Sequence, residues 1–374
     1  MTQFIHLRTH SEYSLVDGLL RVKELVERVK QAGMPAVALT DESNLFALVK
    51  FYRAALAQGV QPIIGADCWV KTEHGYGRLT LIAMNQVGYQ HLLELISIAW
   101  REGQEGDYAL IDWHELVPRA EGLICLTGAT EGEIGRLVAA GQAEKADQVL
   151  VRYAGLFGDR LYLELTRLGL AGESALAAYV VERSTQHQIP IVATNVACFA
   201  TAEDFEAHET RVCIHDSVTL DDPRRVHRHT PEQWLKSPED MCALFDDLPD
   251  ALENTVEIAK RCGVQLTLGQ YFLPDYPVPE GMTLGEFFNA FSHEGLTERL
   301  AEAAQMGVDL DESAYRARLD FEVSVILQMG FPGYFLIVAD FIRWAKEQRI
   351  PVGPGRGSGA GSIVAWALKI TDLD

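Results

Sequence analysis

Nothing in this sequence approaches the run of ~18 apolar residues that a membrane span needs. The opening Met1-Thr2-Gln3-Phe4 has neither a basic stretch nor an apolar one, so no secretory leader is expected. Basic charge is scarce, with 32 Lys and Arg against 53 Asp and Glu and a net charge of −21. That balance excludes bulk electrostatic attraction to nucleic acid, so any such contact must come from a local basic patch. An acidic surface instead suits a protein that meets protein partners. The six cysteines (Cys68, Cys125, Cys198, Cys213, Cys242 and Cys262) form no C-x-x-C pair. Most lie in apolar contexts, which predicts reduced core thiols in a cytoplasmic protein. A Gly-x-Ser-x-Gly nucleophile elbow is also missing.

What is present is an ordinary globular composition, 48% hydrophobic and 23% charged over 374 residues, enough for two domains. Through residue 268, short apolar runs alternate with amphipathic stretches. Strands are predicted at residues 4–7, 36–40, 62–65, 79–83, 123–126, 161–165 and 191–194. Helical spacing fills 20–31, 45–57, 89–100, 134–140, 143–156, 175–187 and 252–262. This rhythm implies a parallel sheet or barrel covered by helices. Polar residues gather at the strand ends (Asp41-Glu42, Asp67, Thr166-Arg167, Asn195), where chemistry sits in such barrels but where turns also need polar residues. The run Tyr271-Phe272-Leu273-Pro274-Asp275-Tyr276-Pro277-Val278-Pro279 marks the domain boundary. Beyond it, residues 284–302, 315–329 and 334–347 are helical, with a turn at Phe331-Pro332-Gly333-Tyr334.

One stretch stands apart, Gly353-Pro354-Gly355-Arg356-Gly357-Ser358-Gly359-Ala360-Gly361-Ser362. Glycine leaves room for backbone N–H groups to approach an anion, and Ser362 would cap a helix over residues 362–369. A Gly-rich loop feeding a helix N-terminus suits phosphate, and a flexible linker is the other reading. It is not a P-loop, since no lysine precedes a hydroxyl. The basic run Arg224-Arg225-Val226-His227-Arg228-His229 either touches phosphate or is a solvated loop paired with Asp221-Asp222.

His6-Leu7-Arg8-Thr9-His10 looks like part of a metal site, because residues i and i+4 share a side of an extended chain. Asp17, Asp41, Glu42 and Asp67 would add oxygen ligands. Arg8, however, stands between the imidazoles and cannot be deprotonated to coordinate a cation, so it would neutralise the carboxylates instead.

Longer stretches carry a resemblance. They are His6 through Gly18, Ala38-Leu39-Thr40-Asp41, Pro62-Ile63-Ile64-Gly65-Ala66-Asp67, Val192-Ala193-Thr194-Asn195, Asn254 through Cys262, Gly330 through Val338, and Val352 through Asp374. With these the chain resembles the N-terminal part of the bacterial replicative DNA polymerase III alpha subunits (family C). The resemblance implies an α/β fold: a PHP-type distorted (β/α)7 barrel over residues 1–268, a Pro-rich linker over 269–283, and the incomplete N-terminal part of a polymerase palm over 284–374. It implies that Gly355, Arg356, Gly357, Ser358, Gly361 and Ser362 bind the triphosphate of an incoming dNTP. For the full-length enzyme it implies DNA-directed DNA polymerase activity with Mg²⁺, on dNTP and primed DNA. Its partners there would be a sliding clamp, a clamp loader and a proofreading exonuclease (epsilon) subunit.

The departures from that family matter as much. Family members with an intact PHP metal site carry histidine where this chain has Arg8, Glu42, Arg78 and Cys198, aspartate at Val196 and glutamate at Asp67. Only His10 and Asp17 remain as family ligands, Asp67 being a shorter substitute. The site made of Arg8, His10, Asp17, Asp41, Glu42, Asp67, Arg78, Val196 and Cys198 is therefore expected to be degenerate and to bind no metal. The domain would serve as scaffold and proofreading-subunit dock, the alternative being a metal-dependent PHP phosphoesterase or 3′–5′ exonuclease. The family's palm carboxylates lie downstream of the Gly-rich motif. Asp372 and Asp374 are read as turn residues, so the chain itself is expected not to polymerise.

Overall fold

The computed structural model describes residues 4–270 and 272–374. The chain divides into two compact units, Met1–Leu266 and Thr267–Asp374. In the first, α1 (Val22–Gln31) leads to β1 (Ala36–Leu39), and α2 (Leu48–Gln58) to β2 (Gln61–Thr72), which turns directly into β3 (Gly75–Ala83). Next come α3 (Gln86–Glu102), a small hairpin of β4 (Gln104–Glu105) and β5 (Tyr108–Asp112), and α4 (Trp113–Leu116). Then follow β6 (Leu123–Leu126), α5 (Glu133–Ala139), α6 (Ala143–Phe157), β7 (Leu161–Leu165), α7 (Glu173–His187) and β8 (Ile191–Ala193). The unit ends with α8 (Phe205–Asp216), α9 (Pro238–Leu244) and α10 (Pro249–Arg261).

The elements form where the side-chain pattern lets them bury an apolar face. In α1, Val22, Leu25, Val26 and Val29 fall on one stripe and are buried. All five residues of β7 are buried, as a strand covered on both faces requires. Strand pairing runs β1-β2-β3-β6-β7-β8. Residues 4–9 close the ring: Ala38 and Thr40 N–H donate to the carbonyls of His6 and Thr9, while Ala197 N–H donates to Arg8 and His10 N–H to Ala197. Seven extended segments thus surround one interior.

Alternation then sorts that interior into two layers. Ile63, Ile82, Ile124, Tyr162 and Val192 belong to one apolar cluster with Ile258 of α10, which plugs that end. Two residues further along the parallel strands β7 and β8, on the same face, stand Glu164 and Thr194. In β2 the same parity leads from Ile63 to Asp67. β3 runs the other way, so its polar residue Thr80 precedes Ile82. The C-terminal end of the parallel strands is therefore the polar end.

Three expectations need correcting. The sheet is mixed, because β3 is antiparallel to both β2 and β6. β2 does not stop near Asp67 but continues to Thr72, since Trp69 and Val70 extend the buried pattern. The turn expected at residues 331–334 is the start of a helix, with Pro332 in its first turn, where a missing N–H costs nothing.

The second unit holds α11 (Leu284–Gln305), α12 (Glu312–Met329), α13 (Pro332–Glu347) and α14 (Ile363–Ala367). Thr283 and Glu286 form a capping box that starts α11. Phe288, Leu296, Leu319, Leu336, Val364 and Trp366 make its core. Of the Pro-rich run, Tyr271 lies outside the described residues, as do residues 1–3, whereas Tyr276 stacks on Phe287 at 6.2 Å and packs with the second unit. Among the described residues, no single helix is long and apolar enough to cross a membrane.

Candidate functional site

The polar end of the barrel gathers most of the residues the sequence singles out, with Asp67 at their centre. Asp67 is fully buried. Its Oδ2 accepts from Arg8 Nε at 2.7 Å, His10 Nε2 at 2.9 Å and Arg78 Nη1 at 3.3 Å, and its Oδ1 accepts from Thr80 at 2.6 Å. Burial alone would raise this carboxyl, but Arg8, His10 and Arg78 outweigh it and hold it well below the usual range. The effect is reciprocal at His10. Burial opposes its charge, yet the hydrogen bond to Asp67 and the contact with Cys198 raise the imidazole to about 10.

The guanidiniums reach further. Arg8 Nη2 meets Glu131 at 3.1 Å and its Nη1 meets Glu164 at 3.4 Å. Arg78 Nη2 meets Glu42 at 3.2 Å and lies 3.9 Å from Asp17, with its plane 4.4 Å over the Trp69 ring. Trp69 in turn donates to Glu42 at 2.8 Å. Glu164 is held by Gly128 N–H at 2.8 Å and Thr194 at 2.5 Å, and burial raises its pKa.

Other predicted members stand outside this network. Asp41 accepts from Ser11 N–H at 2.6 Å, Ser11 Oγ at 2.8 Å and Ser14 Oγ at 2.7 Å, and so fixes the loop after the first extended segment. Val196 belongs to a small apolar cluster with Leu168 and Phe199, and Cys198 bridges that cluster and His10. His6 and His10 do not converge, contrary to the i, i+4 reading. His6 bonds the Lys236 carbonyl at 2.8 Å while His10 bonds Asp67, because the chain changes partner at the Thr9–Ala197 bridge. The remaining strand-end residues are engaged in packing: Thr166 with Glu173, Arg167 with Asp247, and Asn195 with the Trp234 carbonyl.

Two functional members escaped sequence reasoning. Glu164 had a signal, a lone carboxylate inside an otherwise apolar strand, which must find a buried partner. Glu131 sits on a short turn and had none.

This donor set does not fit a divalent cation. Two permanent cations and a protonated imidazole crowd one carboxylate oxygen, and an added ion would meet their repulsion while competing for occupied lone pairs. The interior is an ion-pair network in which arginine supplies the positive charge.

The Gly-rich segment of the second unit contrasts with it. Pro354 O accepts from Thr371 Oγ1 at 2.7 Å and from Asp372 N–H at 2.8 Å, which anchors the loop. Gly355 has φ +118°, and a Cβ there would lie 2.5 Å from Thr371 Oγ1, so only glycine fits. Gly357, Gly359 and Gly361 have open space where a Cβ would be. Arg356 is exposed and makes no hydrogen bond or ion pair among the described residues. Ser358 begins a short 3-10 turn, Ser358–Gly361. Ser362 caps α14 through Ala365 N–H at 3.2 Å, as its position predicts.

That helix ends at Ala367 rather than 369, and a carboxylate already occupies its N-terminus. Glu322 Oε2 accepts from Ser362 Oγ at 2.8 Å and Val364 N–H at 3.4 Å. Gly361 and Ser362 line a cavity of about 300 Å³ with Tyr315, Arg318 and Trp366. Asp372 pairs with Lys346 at 3.0 Å and Arg299 at 3.1 Å, and Asp374 with the Tyr315 hydroxyl at 2.6 Å. The basic run is paired too, Arg224 with Asp222 at 2.7 Å and Arg225 with Glu209 at 2.9 Å.

Two family models match separate parts of the chain. Residues 6–168 match the PHP domain, and residues 286–374 match the bacterial DNA polymerase III alpha NTPase domain. DNA polymerase III subunit alpha of Pseudomonas aeruginosa is 51% identical over 377 residues, 99% of this chain and 32% of that protein. The Vibrio cholerae subunit is 50% identical over 383 residues, 100% of this chain and 32% of its own length. The subunit from Escherichia coli K12 is 47% identical over 382 residues, with the same two shares. An amidohydrolase structure from Chromobacterium violaceum covers 55% of this chain and 96% of its own, at 13% identity and a TM-score of 0.36, too low to carry an argument. The chain belongs to the bacterial DNA polymerase III alpha subunits and spans about a third of the length of the relatives it matches.

Proposed function

We propose that the chain is the scaffold portion of a replicative polymerase catalytic subunit. Residues 1–268 form a PHP domain without metal-dependent hydrolysis, and residues 284–374 begin the palm. The observation that carries this reading is the pairing of Arg8 and Arg78 with Asp67, which fills the barrel with permanent positive charge. A barrel whose interior is occupied by ion pairs suits docking, and the partner proposed is the proofreading exonuclease subunit. The whole protein would extend primed DNA with dNTP, assisted by the sliding clamp and clamp loader. Mg²⁺ there would neutralise the triphosphate and the entering oxygen, held by palm carboxylates other than Asp372 and Asp374. Gly355, Arg356, Gly357 and Ser358 would position the triphosphate by backbone N–H groups and one guanidinium. The exposed Met329, Phe341 and Trp344 would be covered by further palm elements.

The test uses the chain as it stands. Mixed with the proofreading subunit it should co-elute as a stoichiometric complex in size-exclusion chromatography. Incubated with 3′-labelled single-stranded DNA and Mn²⁺ or Zn²⁺ it should release no nucleotide. Separate elution would overturn the docking role, and nucleotide release abolished by His10→Gln would overturn the proposed lack of metal-dependent hydrolysis.

A further inference from the structure

Outside the Asp67 network lies a second group of metal-binding side chains with a different character. His208 and Glu209 are adjacent on α8, and His229 comes from the loop that follows it. Their ligand atoms all lie within 4.8 Å of one another. Glu209 Oε1 is 3.8 Å from His208 Nδ1 and 3.7 Å from His229 Nδ1. His208 is 0% exposed and Glu209 3%. Yet both ring nitrogens of His208, Nδ1 of His229 and Oε1 of Glu209 have no hydrogen-bond partner among the described residues. The Asp17 backbone approaches the His208 ring and His229 approaches Glu209, each too poorly aligned for a full hydrogen bond. Three of these atoms, His208 Nδ1, His229 Nδ1 and Glu209 Oε1, face one another, and buried polar atoms so placed are costly unless something joins them.

We propose that His208, Glu209 and His229 bind one Zn²⁺-class dication, with solvent in the fourth position. The donor set of two imidazoles and one carboxylate is a known zinc set. With bonds of about 2.0–2.2 Å, tetrahedral ligands lie roughly 3.3–3.6 Å apart, so Glu209 would close on each ring by a few tenths of an ångström and the two rings, within 4.8 Å of each other, would draw together by up to about 1 Å. The surroundings complete the site. Arg225 Nη2 holds the other oxygen, Glu209 Oε2, at 2.9 Å and so leaves Oε1 turned to the histidines. His229 Nε2 lies 3.5 Å from Asp17 Oδ1, which gives the carboxylate–histidine–metal relay that orients a ligating ring. The two rings meet edge to face, 4.6 Å between centroids. Bound there, the ion ties the loop carrying the basic run to α8. No guanidinium points at the three ligand atoms, unlike at Asp67.

Sequence spacing could not reveal this, since nineteen residues of helix and loop separate Glu209 from His229. Metal content by elemental analysis, after dialysis of the chain against micromolar Zn²⁺, should give one ion per chain. Co²⁺ should give the visible absorption of a low-symmetry four-coordinate site. His229→Ala, at a loop position whose loss leaves the apo fold intact by circular dichroism, should weaken Zn²⁺ by at least about a hundredfold. Asp17→Asn should weaken it about 10- to 100-fold. His10→Gln should leave the stoichiometry at one. Absence of a bound ion, retention of full affinity in His229→Ala, or loss of the ion in His10→Gln would each overturn the proposal. The last result would place the ion in the barrel interior and so count against the proposed lack of metal there as well.

Discussion

Asp67 in the barrel and Arg356 in the Gly-rich loop are both charged groups where a ligand is expected, and they differ in what surrounds them. Asp67 is buried and accepts four side-chain hydrogen bonds, three of them from cationic groups. Arg356 is exposed and has no partner among the described residues. A saturated buried charge holds a fold together, because removing any partner leaves the others in a low-dielectric interior. An unsaturated exposed charge contributes little to folding and remains available to a ligand. Two sites that the family resemblance treats alike as binding places are thus built for opposite purposes.

The strongest way to break this comparison is Arg8→Met. Arg8 is 1% exposed and faces Asp67, Glu131 and Glu164. Methionine fills much of its volume but strands two buried carboxylates, so urea or thermal unfolding should show a loss of about 3–5 kcal/mol. A loss below about 1 kcal/mol would mean that solvent enters the interior and screens the network.

Much of that network was legible beforehand, and the illegible part has physical reasons. Arg8 reads as a neutraliser of carboxylates because guanidinium cannot ligate, and it does bond Asp67. The strand at residues 161–165 was legible from its apolar residues, and the lone Glu164 among them was the unread sign of a buried partner. The β2–β3 hairpin was hidden because Asp67 reads as a strand end. In fact, Asp67 is an inward residue of a longer strand whose side chain is satisfied across the sheet by Thr80. Ser362 was legible as a cap from its position alone. Glu322, which occupies the same helix terminus, lies forty residues away on α12, and no spacing rule connects them.

A pH titration sharpens the comparison within the barrel. His10 is raised to about 10 in the folded chain from an unfolded value near ~6.5. Its folded form holds the proton more tightly, so its stabilisation is complete below pH ~6.5 and is lost as pH rises toward 10. Asp67 runs the other way. Its folded pKa is depressed, so its contribution is present above the unfolded value near ~3.9 and is lost as pH falls through the folded one. Stability measured by urea unfolding should therefore decline on the alkaline side by an amount on the order of a few kcal/mol. His10→Gln should flatten that decline between pH ~6.5 and 10 and shift the acid limb only partway, since Arg8 and Arg78 still hold Asp67 down. An unchanged alkaline limb would show that His10 is neutral in the folded state.

The smallest expected effect tests the open half of the comparison. Arg356→Ala removes a guanidinium that touches nothing, so the unfolding temperature should stay within about 1 °C, as surface substitutions away from special features do. Binding should respond instead. One charge-assisted contact contributes about 1.5 kcal/mol, so isothermal titration with Mg²⁺-dNTP should show affinity falling roughly tenfold. Gly355 holds the backbone in place by its fit against Thr371, and that fit is untouched by the substitution, so the loss would report on the guanidinium alone. Unchanged affinity would return the segment to the linker reading. A lowered unfolding temperature would mean that Arg356 is a structural residue after all, and that both units satisfy their charges internally.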